Sequence, residues 1–85
     1  MPDDKEKANR GTVVSIRSSV VDARFPERLP EIHNRLNTGD EGRVVVEVMS
    51  HLDSDLVREI ALTPTQGLSR GDVVVDTGFP IRVPV

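Results

Sequence analysis

The chain has no cysteine, tryptophan or tyrosine, and its two lysines, Lys5 and Lys7, both fall within the first ten residues. Without cysteine there is neither a disulfide framework nor a thiolate zinc site, a composition suited to a reducing compartment. A phosphate-binding P-loop needs a lysine directly after a glycine to reach the β- and γ-phosphates, and none stands there. Phe25 and Phe79 are the sole aromatic side chains, whereas single-strand binders usually offer several stacking platforms. The net charge of −3 belongs to the body, because residues 1–10 hold three acids and three bases; such a body repels phosphate backbones. No run approaches the roughly 18–20 apolar residues that cross a bilayer, and the polar N-terminus does not read as a signal peptide. These absences leave one small soluble cytoplasmic domain as the expectation for 85 residues.

What is present is β-forming. Valine, isoleucine and threonine number 23 against 11 for leucine, alanine and methionine, and β-branched side chains suit a pleated, half-buried surface. Residues 1–10 carry Met1 and Ala8 as their apolar groups and are expected to be a disordered tail ahead of a domain at 11–85. Thr12–Arg17 reads as a short strand, with Ser18-Ser19 a bend. Val20–Phe25 alternates, placing Val21, Ala23 and Phe25 on one face and Asp22 and Arg24 on the other, until Pro26 ends it. Between Glu27 and Gly42 the reading divides. Pro30, Ile32 and Leu36 fit the start of a short helix, which the pattern slightly favours, while an extended segment would put Ile32, Asn34 and Leu36 on one face.

Arg43–Leu52 sets Val44, Val46 and Val48 against Val45, Glu47, Met49 and His51, and a tight turn at Asp53-Ser54-Asp55 leads into Leu56–Leu62 as a hairpin. A turn-rich connector, Gly67–Asp72, precedes Val73–Val75; Thr77–Pro80 reads as a further turn into a strand at Ile81–Val85. About six short strands with frequent turns fit a small closed barrel, since closure removes exposed strand edges.

Chemistry is hard to place on this frame. Ser50 and His51 are neighbours in a strand and point to opposite faces, so they cannot act as nucleophile and base. Asp53-Ser54-Asp55 lacks the glycine and distal glutamate of a calcium loop. His33 and His51 are too few for a metal site. The expectation is a chain without catalytic, cofactor-binding or metal residues.

The order of its motifs is more specific. Gly11, Val20-Val21-Asp22, Phe25-Pro26, Leu29-Pro30 with Ile32, Asn34 and Leu36, Val46-Glu47-Val48, His51-Leu52, Val57-Arg58-Glu59-Ile60-Ala61, Gly67-Leu68-Ser69-Arg70-Gly71 and Val74–Val85 follow one another. In that order they resemble the N-terminal domain of the beta subunit of F-type ATP synthases, over residues 11–85. "VVDARFP" and "DTGFPIRVPV" look more like beta than like the related alpha, flagellar or vacuolar-type barrels. Ser18-Ser19 stands where the family has a Gly-Pro or Gly-Ala pair, His33 where tyrosine is common, and the Thr38–Gly42 loop is short; these departures point to a divergent or accessory beta subunit.

The resemblance implies an all-β, six-stranded antiparallel barrel, with an extended segment at 31–37. It also implies alpha subunits as partners in an alternating ring, which this domain helps hold together. The parent subunit would synthesise or hydrolyse ATP coupled to proton transport, and Mg-ATP or ADP would bind in a domain following Val85. The complex would be peripheral to the inner membrane, and the isolated domain monomeric. On this reading Gly67, Gly71, Gly78 and Pro80 shape turns, Pro84 lies at a strand end or edge, and Asp22, Glu47, Arg58 and Arg70 are the candidate subunit contacts. A free-standing barrel, oligonucleotide-binding-like or regulatory, is the alternative.

Overall fold

A computed structural model describes residues 8–81. Six strands, β1 (Arg10–Arg17), β2 (Val20–Arg24), β3 (Asn34–Thr38), β4 (Val44–His51), β5 (Leu56–Ala61) and β6 (Val73–Pro80), close into a barrel in the order β1-β2-β5-β4-β3-β6. Every neighbouring pair is antiparallel. The small all-β closed barrel read from the sequence is therefore the fold.

Alternation builds the interior. Val44, Val46 and Val48 of β4, Val21 and Ala23 of β2, and Val57 of β5 are buried with Val13, Leu36, Val74 and Phe25. In β1 the phase changes midway: Val13 pairs with Ala23, but Ser15 pairs with Asp22, leaving Val14 as a bulge. A bulge inserts one residue and re-aims the side chains beyond it. Here it takes Ser15 to the outer face, where its hydroxyl donates to Asp22.

Three expectations need correction. The helix favoured by pattern for residues 31–37 does not form; Asn34–Thr38 is a strand paired to β4 on one side and β6 on the other. The Ile32–Leu36 spacing of four satisfies a period of two as well as a helical turn, and ladder bonding on both sides decides between them. Asn34 and Leu36 share the inner face, but Ile32 is exposed in the turn before them. Among the described residues the one helical element is a 3-10 turn at Asp40–Gly42.

The second correction concerns Thr77–Pro80, which is no turn. β6 runs through it, with Leu36 opposite Asp76 and Asn34 opposite Pro80, and the surplus residues form a bulge. Gly78 sits in that bulge at φ 83°, a left-handed conformation that glycine adopts without a Cβ clash. Asp76 Oδ1 accepts from the Gly78 N–H at 2.9 Å and from Asn34 Nδ2 at 3.0 Å, so the side chain holds the bulge. Ile81 N–H still donates to the His33 carbonyl beyond the strand; the rest of the expected Ile81–Val85 strand, with Pro84, lies outside the described residues.

Third, the boundary expected between residues 10 and 11 falls inside ordered structure. Arg10 begins β1, and Asn9 is buried, donating from Nδ2 to the Arg28 carbonyl while its own carbonyl accepts from Asp76 N–H. Residues 1–7 lie outside the described residues.

Gly11 has a steric role of its own. A Cβ built there would meet the Arg24 carbonyl oxygen at 2.6 Å and the Phe25 ring at 2.7 Å. Phe25 fills one margin of the core, and the oxygen belongs to a backbone that cannot move away alone. Gly11→Ala should therefore cost about 1–3 kcal/mol, the usual range for overpacking a filled interior. The measurement is the urea midpoint of the 85-residue chain; an unchanged midpoint would show that the Phe25 ring relaxes freely.

Candidate functional site

The outer wall formed by β2, β5 and β4 carries most of the polar residues singled out from the sequence. Asp22 and Arg58 are cross-strand partners in the β2–β5 register. Arg58 donates from Nε to Asp22 Oδ1 at 3.0 Å and from a terminal guanidinium nitrogen to Oδ2 at 3.1 Å, while Ser15 Oγ donates to Oδ2 at 3.2 Å. This two-pronged geometry matches the planar guanidinium to the carboxylate. The hydrogen bonds from Arg58 hold the Asp22 carboxyl below the usual range, against a smaller opposing effect of its partial burial. Asp22 in turn raises Arg58.

Glu47 lies on the same exterior, on β4, with its Oε2 at 3.0 Å from His33 Nδ1. Arg70 is elsewhere, exposed in the connector before β6. Of the four candidate contacts, the structure thus joins Asp22 to Arg58, places Glu47 on the same wall, and separates Arg70. Gly67 and Gly71, in the connector, have φ of 87° and 93°. Ser18, at the divergent bend, takes a left-handed φ of 57°, as does His33 at 75°. His51 Nε2 donates to the Pro30 carbonyl at 2.7 Å, and Arg24 grips Asp55 of the hairpin turn at 2.7 and 2.8 Å.

Two features escaped the sequence reading. The first is a shallow groove outside β6, β3 and β4, where Val45, Leu62, Phe79 and Ile81 meet a rim of Arg35, Asn37 and Thr77. Phe79 is 64% exposed and Leu62 48%. The outward position of Val45 in the alternating β4 run was a signal for it, but Phe79 had been assigned to a turn. The second is Glu59, wholly buried on the inward row of β5 beside Val57. Alternation from Val57 gives that position, and the acid there was overlooked. Among the described residues no group of three or more histidine, cysteine, aspartate or glutamate side chains is arranged to hold a metal.

A closed six-strand barrel with a core made mainly of valine defines the class of domain. Comparison with known proteins gives its family. The model described as "ATP synthase alpha/beta family, beta-barrel domain" matches residues 13–78. ATP synthase subunit beta 2 of Polaromonas naphthalenivorans is 60% identical over 88% of this chain and 16% of that protein. Those of Albidiferax ferrireducens and Shewanella frigidimarina are each 54% identical, over 100% and 91% of this chain and 16% of theirs. The chain belongs to the ATP synthase alpha/beta family, as the N-terminal β-barrel domain of a beta subunit. It spans about one sixth of the length of the curated relatives it matches.

The Asp22 interactions have a defined pH dependence. A carboxyl held below its unfolded value of 3.8 contributes stability that is present above that pH and lost as pH falls through the folded value. Asp22→Asn should remove this acid-side loss and lower the folding equilibrium constant at pH 7 by up to about tenfold, because the pair touches solvent. Urea unfolding between pH 2.5 and 7 checks it; identical acid limbs in both proteins would assign the loss to other carboxyls.

Proposed function

We propose that this domain is an assembly element of a rotary ATP synthase beta subunit, holding an alternating ring with alpha subunits while other domains bind and turn over nucleotide. Membership of the family over residues 13–78 carries the reading. The outward groove supports it, since exposed Phe79 and Leu62 lie beside half-buried Val45 and Ile81 in a surface that a neighbour could cover. On this reading the partners are alpha-subunit barrels, the parent couples ATP turnover to proton movement, and the complex is peripheral to the inner membrane on its cytoplasmic face. Several of the similar proteins are named subunit beta 2, which supports a place among additional beta subunits.

A contact between two such small barrels falls below the roughly 1,200 Å² of a stable complex, so the isolated chain is monomeric at micromolar concentration. Within a ring, tethering gives each barrel a high effective concentration of the next. Deleting residues 11–82 from the full-length subunit should prevent a stable ring with alpha. Phe79→Glu should weaken the ring at least tenfold while leaving the barrel folded, because the side chain is mostly solvated. Native mass spectrometry reads both; a truncated subunit that still forms an alternating ring surviving dilution would overturn the assignment.

The isolated chain should not bind nucleotide, since its sequence has no lysine following a glycine to grip the phosphates. Titration calorimetry with Mg-ATP should give no heat of binding at micromolar concentrations, and a saturable signal would refute this.

A further inference from the structure

Glu59 is the one buried charged residue among the described residues, with no exposed surface and neither carboxylate oxygen within hydrogen-bond reach of a partner. Its strand neighbours are apolar: Val21 on β2 and Val48 on β4. The β4–β5 ladder is interrupted beside it, for the register slips between Val48 and Ser50, leaving Met49 as an exposed bulge. We propose that Glu59 makes the β2–β5–β4 wall a proton-operated latch, which closes over a neutral carboxylic acid and loosens at the Met49 bulge when that acid loses its proton to solvent.

Burial without a partner disfavours the charged form far more than the neutral one. No compensating cation is bonded to it, since both carboxylate oxygens lack a hydrogen-bond partner among the described residues. On β5 itself Arg58 is adjacent in sequence, hence on the opposite face, and is engaged by Asp22. On β2, Asp22 adds a repelling charge and Arg24 is held by Asp55. On β4, Glu47 faces His33 and His51 bonds Pro30. On β6, Asp76 is engaged by Asn34 and Gly78. Desolvation first, and Asp22 second, push the Glu59 carboxyl up to about 8.

The buried proton sets the sign of the pH dependence. The folded chain keeps it up to about 8, whereas the unfolded chain releases it near 4.5. The Glu59 contribution to stability is complete below 4.5, falls as pH rises towards 8, and levels off beyond. The slope is about tenfold in the folding constant per pH unit.

Carbon-13 NMR of the 85-residue chain should show the Glu59 Cδ titrating near 8. The Met49 methyl should shift with the same midpoint, while the Val73 methyls on the opposite wall stay still. Urea unfolding from pH 5 to 9.5 should show the falling limb in the native chain and a flat profile in Glu59→Gln. If Glu59→Gln does not fold, Glu59→Val serves, and the Cδ titration needs no variant. A Cδ midpoint in the ordinary glutamate range, a Met49 methyl that does not follow Glu59, or equal slopes in native and variant chains would each overturn the latch.

Discussion

Closure of the sheet between β1 and β6 is the constraint on which the rest depends. Three register pairs make that seam, Arg10 with Val75, Gly11 with Val74 and Thr12 with Val73. It is extended by the bond from Asp76 N–H to the Asn9 carbonyl. Each strand then has two neighbours, and backbone groups that an open sheet would leave for other chains are used internally. A six-strand barrel has a narrow interior, so it is filled by valines with Leu36 and Phe25 as the large apolar groups. Gly11 belongs to the same solution: the seam brings β1 close enough to Arg24 and Phe25 that no side chain fits.

A narrow interior also makes polar intrusions costly. Asn34 and Thr38 sit on the inner row of β3 but are satisfied, by Asp76 and by the Val73 carbonyl at 2.8 Å. Glu59 has no such relief. On the exterior the opposite holds, because Asp22 is stabilised as an anion by Arg58 two-fold and by Ser15. The wall therefore carries one carboxyl held charged outside and another held neutral inside, one residue apart across the β2–β5 ladder. Each favours the other's state, since a charged Asp22 disfavours a second charge at Glu59.

The parts of the fold that were legible in the sequence are those with one clean period. β2 and the first part of β4 alternate cleanly across their inward residues, and the turn between β4 and β5 is unambiguous. β3 was ambiguous because Ile32 and Leu36 fit two periods, and the choice lay in ladders to strands distant in sequence. β6 was misread because Gly78-Phe79-Pro80 has the composition of a turn, while in the barrel the same residues form a bulge that β3 continues to pair across. The polar positions Asp22 and Arg58 were visible one at a time, but their pairing depends on register over 36 residues of separation. The groove was hidden by the same misreading, because a phenylalanine placed in a turn belongs to no surface.

The absence of free edges also limits how such a domain can join its neighbours. Strand addition, which would bring main-chain hydrogen bonds, needs an unpaired edge, and among the described residues all six strands are paired on both sides. The ring contacts proposed for it would then run through side chains and loops. On the β6–β3–β4 exterior that means an apolar centre with a rim of Arg35, Asn37 and Thr77, an arrangement in which the rim sets orientation and the centre supplies most of the energy. Because the groove crosses three strands, its shape is set by their spacing and by the Gly78 bulge. A side chain such as Phe79 is presented by a closed scaffold instead of a flexible loop, so little ordering cost remains when a partner arrives. In the assembly role proposed for it, the barrel's contribution is geometric: it fixes where a small apolar surface points, and a modest contact becomes useful when several such surfaces are tethered in one assembly.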